Sequence, residues 1–233
     1  VRSAFEFVIS KRRAGNGRRG AIVLTAALAV FLAALALILT LMFSSSSAYG
    51  ALEANPPPAN AATTKPKVKA GIRRGQLNVL GTARSDKITL RLKPGNKSRL
   101  QVDVGGNGSA EFTFKRAAFK RIVVRGASGA DALSINERFG VFTGSEATRL
   151  FGNSGNDLLR SGSAAERLFG GSGKDTIDGK RGNDLIEGGA GNDAINGGNG
   201  NDTLRGGTEN DAIEGNRGDD TGLLGAGDDS FRW

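Results

Sequence analysis

GGSGKDTID, GKRGNDLIE, GGAGNDAIN and GGNGNDTLR run consecutively through residues 170–205, four copies of one nine-residue phrase, Gly-Gly-x-Gly-x-Asp-x-apolar-x. The phrase continues as GGTENDAIE from Gly206, and its frame holds without insertion or loss from Gly152 to Arg232. Each copy supplies a turn, a carboxylate and one core side chain. A fixed period of this kind marks a stacked-repeat architecture and has to be read before any single element.

In each copy the triplet x-apolar-x makes a short strand whose middle side chain points inward. The six residues before it must reverse the chain tightly, and glycines there permit positive φ and bare carbonyls. Two copies complete one flattened coil, and coils stack as parallel strands ~4.8 Å apart, so four and a half coils stand only ~20 Å tall. The inward positions are Leu159, Leu168, Ile177, Ile186, Ile195, Leu204, Ile213 and Phe231. Gly222 interrupts the series, and Leu223 or Leu224 must compensate. One apolar side chain per nine residues is a thin core for a chain with 36 glycines, whose ordering loses much backbone entropy.

The missing stabilisation can come from the turns. Stacking sets copy n over copy n+2, which puts Asp175 over Asp193 and Asp184 over Asp202. Carboxylates held that close repel unless a cation lies between them. Carboxylates plus carbonyls, with no nitrogen or sulfur donor, suit a hard ion taking about 6–8 oxygens, hence calcium ahead of magnesium. At ~1 mM calcium a site of ~0.1 mM affinity contributes ~1.4 kcal/mol. About five or six such sites would supply ~7–8 kcal/mol, comparable to the stability of a small domain. Metal and fold should therefore appear together, with several Ca2+ ions as the cofactor.

The copies resemble the haemolysin-type calcium-binding (RTX) nonapeptide, GGxGxDxUx, across residues 152–232, most closely in residues 170–205. The resemblance implies an ion held between turns n and n+2. One turn would give the carbonyls of positions 1 and 3, the other those of positions 2 and 4, and both the aspartate of position 6. Carried over, the side-chain ligands are Asp157, Asp175, Asp184, Asp193, Asp202, Asp211, Asp220 and Asp229. The turn backbone is that of Gly170, Gly171 and Gly173, Gly179 and Gly182, Gly188, Gly189 and Gly191, and Gly197, Gly198 and Gly200. Asp175/Asp193, Asp184/Asp202 and Asp202/Asp220 keep the consensus best. Asp157/Asp175, Asp193/Asp211 and Asp211/Asp229 follow. SGSAAERLF, from Ser161, loses a glycine and carries Glu166 for Asp, which weakens Glu166/Asp184. Thr148 replaces Asp in the preceding copy, which leaves Asp157 short of a partner on one side. Glu209 fills a glycine position, where it either distorts Asp193/Asp211 or adds a ligand. Asp219 and Asp228 at position 5, and Asp178, Glu187 and Glu214 at position 9, should face solvent.

The rest of the chain differs in charge and pattern. Residues 152–233 hold 15 acidic and 8 basic residues, a net of −7, while the remainder carries 24 basic and 8 acidic, a net of +16. A cation-seeking repeat thus follows a basic leader and a basic middle, and no recognition motif or aromatic row points to nucleic acid. Cysteine and histidine are absent. That excludes disulfides, thiolate or imidazole metal sites, a Ser-His-Asp triad and an imidazole base.

Four regions follow. Residues 1–43 form a basic leader and an uncharged apolar run that starts at Ala21 and ends at Phe43. Preceding lysines and arginines orient such a run so that the following chain leaves the cytoplasm. Its length meets the ~20 residues of a span, while Ser46-Ser47-Ala48 and Ala48-Tyr49-Gly50 offer peptidase sites. A cleaved signal peptide and a retained anchor both stay open, and either places the rest in the extracellular space or at the cell surface. Residues 44–70 read as a Ser/Pro/Lys linker. Residues 71–151 read as a β-rich lead-in, with strands at QLNVL, KITLRL, SRLQVDV, AEFTF and RIVV, and degenerate copies GTARSDKIT from Gly81 and GASGADALS from Gly126. It should begin the same solenoid, with a hairpin inserted, and cap its open end. Residues 152–233 are the roll. The fold class is therefore all-β: a parallel β-roll, or β-solenoid, preceded by one apolar export or anchor helix.

Three functions fit. The leading one is an exported calcium-binding structural or surface-interaction protein, without enzymatic activity. A second is the calcium-dependent accessory region of a secreted hydrolase, although Asp103, Glu111, Glu137 and Glu146, the best carboxylates outside the repeat, form no motif. A third is adhesion to anionic envelope polymers through the basic stretches Lys65 to Arg74 and Lys115 to Arg125, readable as salt-sensitive binding.

Overall fold

The computed structural model describes residues 67–233. The basic leader, the apolar run and most of the Ser/Pro/Lys linker lie outside the described residues. Among the described residues no helix is long and apolar enough to cross a membrane.

The described residues alternate between two sheets. They open with β1 (Lys69–Arg73), β2 (Gln76–Leu80), β3 (Lys87–Lys93), β4 (Asn96–Val104) and β5 (Phe112–Lys115). After a single 3-10 turn come β6 (Arg121–Ser128), β7 (Ala132–Asn136), β8 (Ala147–Ser154) and β9 (Leu158–Arg160). The repeats then form β10 (Arg167–Ser172), β11 (Thr176–Asp178), β12 (Leu185–Ala190), β13 (Ala194–Asn199) and β14 (Thr203–Thr208). The last strands are β15 (Ala212–Arg217), β16 (Thr221–Ala226) and β17 (Ser230–Arg232). One sheet runs β1-β2-β6-β8-β10-β12-β14-β16, the other β17-β15-β13-β11-β9-β7-β3-β4-β5. Within the repeats every strand pairs in parallel with the strand two steps away, as in Leu168↔Ile186 and Ile177↔Ile195. Alternating sheets is what a nine-residue unit of one turn and one strand must do: each turn sends the chain across to the opposite face.

Between the sheets Leu159, Leu168, Ile177, Ile186, Ile195, Leu204 and Ile213 are buried in a single file per sheet. Each lies between neighbours of its own sheet, as the period of two in a strand requires. The lead-in continues the coil: β2 pairs in parallel with β6, β6 with β8, β3 with β7 and β7 with β9. The inserted hairpin is also present, as β3, β4 and β5 pair antiparallel. Here the core thickens, with Leu90, Leu92, Leu100, Val102, Phe119, Ile122 and Phe142 buried. Strand β1 stands where the linker was expected to end. Arg74 and Gly75, at φ 51° and 69°, form a tight turn that folds it antiparallel onto β2, covering that sheet's first edge.

At the other end the missing side chain of Gly222 is supplied from across the coil. A Cβ on Gly222 would lie within 2.9 Å of the Phe231 ring, so that ring occupies the vacated space. Leu224 packs partly against the core, whereas Leu223 is 49% exposed. Of the two leucines, Leu224 compensates.

Candidate metal centre

The turns that join the strands hold their shape by touching the turn one coil away. At position 2 of its copy Gly189 has φ 117°, and an added Cβ would run into the Gly171 carbonyl. Position 4 behaves alike, Gly191 standing on the Gly173 carbonyl. Residues with side chains take the same left-handed backbone where they replace these glycines. Asn153, Lys180 and Asn216 do so at position 2, with φ of 77°, 56° and 72°. Such angles are unfavourable for non-glycine residues, so the stacked arrangement imposes them. Glu209, at position 4 with φ 72°, leaves its turn in place, and its carboxylate accepts from the Gly191 N–H at 2.7 Å.

The position-6 aspartates form two columns, one on each side of the roll. In the first, the N–H of Asp157 donates to Asp175 Oδ1 at 2.8 Å, Asp175 to Asp193 at 2.8 Å, Asp193 to Asp211 at 2.9 Å and Asp211 to Asp229 at 2.9 Å. In the second, Glu166 donates to Asp184 at 2.7 Å, Asp184 to Asp202 at 2.8 Å and Asp202 to Asp220 at 2.9 Å. Each carboxylate thus spends one oxygen on the backbone of the preceding coil. The second oxygen, Oδ2, is buried without a protein hydrogen-bond partner in Asp157, Asp175, Asp184, Asp193, Asp202, Asp211 and Asp220.

Burial without a partner disfavours the ionised form. Desolvation pushes Asp175 up to about 6, Asp193 to about 7 and Asp184 to about 8, against the lowering by the backbone hydrogen bond each accepts. Asp157, Asp202 and Asp211 are raised for the same reason. A repeating row of orphaned, desolvated carboxylate oxygens is a defect unless something positive answers it.

Backbone carbonyls converge on the same spaces. A Cβ on Gly170 would run into Asp175 Oδ2 and stand 2.6 Å from the Gly188 carbonyl. One on Gly188 would run into Asp193 Oδ2 and stand 2.8 Å from the Gly206 carbonyl. In the second column a Cβ on Gly197 would stand 2.6 Å from Asp202 Oδ2 and 3.0 Å from the Gly215 carbonyl. Glycine at position 1 of these copies keeps open a cradle lined by oxygens, which a methyl there would fill. Among the described residues no three acidic side chains gather on one point, so an ion's shell must be completed by those carbonyls. An all-oxygen donor set of this composition fits a hard divalent ion with flexible geometry, as calcium is.

The weaker copies can now be placed. Glu166 keeps part of the pattern: it is buried, its N–H reaches Asp184 and its Oε1 has no partner, but its Oε2 accepts from the Gly162 N–H of its own turn at 3.2 Å. Burial pushes its carboxyl up to about 7. Thr148 does not deprive Asp157 of a partner, because coils pair n with n+2 and Thr148 therefore lies over Glu166. The residue over Asp157 is Asp131, whose N–H donates to Asp157 Oδ1 at 2.7 Å across 26 residues. The degenerate copy at Gly126 carried that signal, but its irregular spacing hid the pairing.

Sequence reasoning also missed a second ladder. Position-5 asparagines accept from the backbone one coil on: Asn156 from Lys174, Asn183 from Asn201, Asn192 from Asn210, Asn201 from Asp219 and Asn210 from Asp228, at 2.8 to 3.1 Å. The asparagine in GNDL and GNDA was the available clue. Asp219 and Asp228 are exposed as expected. At position 9, Asp178, Glu187 and Glu214 are half-buried, with Glu214 reaching Arg232 at 3.1 Å.

Outside the repeats the candidate carboxylates are engaged structurally. Asp103 pairs with Arg91 at 2.7 Å, Glu146 with Arg116 at 2.8 Å, Glu111 accepts from the Val104 N–H, and Glu137 from Ser163.

A parallel coil with two files of carboxylates and carbonyls facing between turns defines a repeat-built, cation-binding roll. Its repeats are of a known kind: the four-copy model of the RTX calcium-binding nonapeptide repeat matches residues 142–177, 169–204 and 196–231. The chain thus carries RTX calcium-binding nonapeptide repeats, and their ion is Ca2+. No curated protein and no solved structure matches the chain.

Proposed function

We propose that the protein is an exported, calcium-dependent structural or surface-interaction protein whose roll orders as several Ca2+ ions enter between stacked turns. The observation that carries this reading is the two files of buried Oδ2 atoms without partners, those of Asp157, Asp175, Asp184, Asp193, Asp202 and Asp211 each beside a carbonyl of the next coil. Asp175, Asp184, Asp193 and Asp202 would each face an ion above and below, whereas Asp220 and Asp229 would close the ends. Bound calcium would offset the mutual repulsion of the carboxylates and tie successive coils together. Export is supported by the apolar run with its basic flank; the repeat contributes structure, not catalysis.

The surface offers a reason for the interaction half of the reading. On the outer face of the first sheet Arg121, Arg125, Arg149 and Arg167 are exposed, and Arg125 lies over the Phe151 ring at 5.1 Å. Phe151 stacks on Phe169 with centroids 4.7 Å apart. A cationic face with flat rings suits an anionic envelope polymer.

Calcium titration of the full chain, followed by circular dichroism, tests the main reading. A gain of β signal by ~1 mM ion is expected. No gain by about 5 mM would sink it.

A further inference from the structure

The first column of carboxylates does not begin with the repeats. Asp131 is 2% exposed, and its Oδ2 is buried without a hydrogen-bond partner, as in the aspartates of the roll. It belongs to the degenerate copy at Gly126, outside the stretch matched as RTX repeat, and 26 residues before Asp157 where the regular separation is 18. The loop after β7 absorbs the eight extra residues, and the register is restored on its far side: Ala127↔Asn153 and Ser128↔Ser154 repeat as Asn153↔Gly171 and Ser154↔Ser172.

The turn geometry is reproduced in detail. The Gly129 N–H donates to the Ser154 carbonyl at 2.9 Å, as Gly155 does to Ser172 at 2.8 Å. Ala127 holds φ 94° at position 2, an angle that alanine adopts only under constraint. A Cβ on Gly126 would run into Asp131 Oδ2 and stand 2.8 Å from the Gly152 carbonyl, while one on Gly155 would run into the Gly129 carbonyl. The Asp131 side-chain oxygen and the Gly152 carbonyl of the next turn thus face one space at Gly126, while the Gly129 carbonyl stands against Gly155 of the same next turn.

One coil earlier the pattern stops. Asp86 N–H donates to Asp131 Oδ1 at 2.7 Å, but Asp86 Oδ2 is already satisfied by the Thr82 N–H at 2.6 Å and the Thr82 hydroxyl at 3.0 Å. Threonine at position 2 does internally what a cation would do from outside. Asp86 is a cap, and Asp131 is the first carboxylate left open.

We propose that a divalent calcium ion binds between the turns ending at Asp131 and Asp157, one coil outside the repeat array, and ties the lead-in to the roll. The inference rests on the calcium reading of the roll itself. Its anchoring ligands are Asp131 Oδ2 and the Gly152 carbonyl, with the Asp157 carboxylate and further carbonyls of the two turns completing the shell. Because the ion spans the irregular loop, ordering of β6 and β7 becomes calcium-dependent although neither strand lies in a regular copy.

Counting bound calcium on the full chain by native mass spectrometry tests this. Asp131→Asn should bind one ion fewer than the wild type, and Asp228→Asn, an exposed change of the same charge, should lose none. Gly126→Ala keeps both carboxylates and closes the space with a methyl; it should lose the same ion if Asp131→Asn does not fold. Both variants retaining the wild-type count, while Asp184→Asn loses ions, would overturn this site and leave the roll's calcium reading intact. A wild-type chain that binds no calcium overturns both.

Discussion

The backbone N–H of Asp175 donates to Oδ1 of Asp193, 18 residues away, at 2.8 Å. This bond fixes the Asp193 carboxylate so that its other oxygen is buried beside the Gly206 carbonyl, with no protein donor to meet it. One residue type thereby serves both as a rung of the coil and as an open ligand.

Replacing Asp193 by asparagine separates these two roles. The amide oxygen can still accept from Asp175, while the charge facing the ions above and below is gone. We expect about 1–3 kcal/mol less stability at ~1 mM calcium, one or two sites' worth. Denaturant unfolding in calcium measures it; a count of bound ions by native mass spectrometry unchanged from the wild type would show that Asp193 acts only through the coil.

Acidity should act in opposite directions on the two states. Burial raises Asp175, Asp193 and Asp184 to about 6, 7 and 8. A raised folded-state value means that the ion-free fold prefers its carboxyls protonated. Its stability therefore falls as pH climbs from the ordinary carboxylate range of ~4 through those values. With calcium the ionised form is the ligand, so protons compete and the calcium midpoint rises as pH drops from 8 to 6. Unfolding curves at pH 5 and pH 8 without calcium, and calcium titrations at both, check this. An ion-free fold more stable at pH 8 contradicts it.

Gly222 invites repair toward the repeat consensus, and the structure forecasts that repair fails. Leucine there would meet the Phe231 ring that already fills the space. Overpacking of this kind costs about 1–3 kcal/mol. Gly222→Leu should lower Tm, whereas a rise in Tm would mean that Phe231 moves aside freely.

Ile195 is 2% exposed in its file, midway along the roll. Truncation to alanine should destabilise by about 2–5 kcal/mol, a large fraction of a small domain's stability. With so few apolar side chains per coil, the loss should show as a lower Tm in calcium and a higher calcium midpoint for the gain of β signal, as paired melts and titrations would show.

Much of the site was legible in the chain because the repeat couples chemistry to position. In GGAGNDAIN the glycines, the aspartate and the isoleucine hold fixed offsets, so turn, ligand and core follow together. Pairing n with n+2 follows from two turns per coil, and it places Asp175 over Asp193. Where spacing is irregular, that logic lost its footing. Asp131 stands 26 residues from Asp157, and only the folded register reveals that they are neighbours. The asparagine ladder escaped for another reason: position 5 looked like a solvated slot, since the bond that occupies it comes from the next coil.

The sequence by itself determined the class of fold, the ion and the two files of aspartates, because a strict nine-residue period leaves the backbone one way to stack. Tertiary structure decided where each file starts and ends. Thr82 closes the first file at Asp86, Phe231 fills the gap left by Gly222, and β1 folds back over the edge at β2. The repeat consensus predicts none of these contacts: Thr82 and β1 lie outside the regular copies, and Phe231, one copy on from Gly222, reaches it across the coil, so packing selects them.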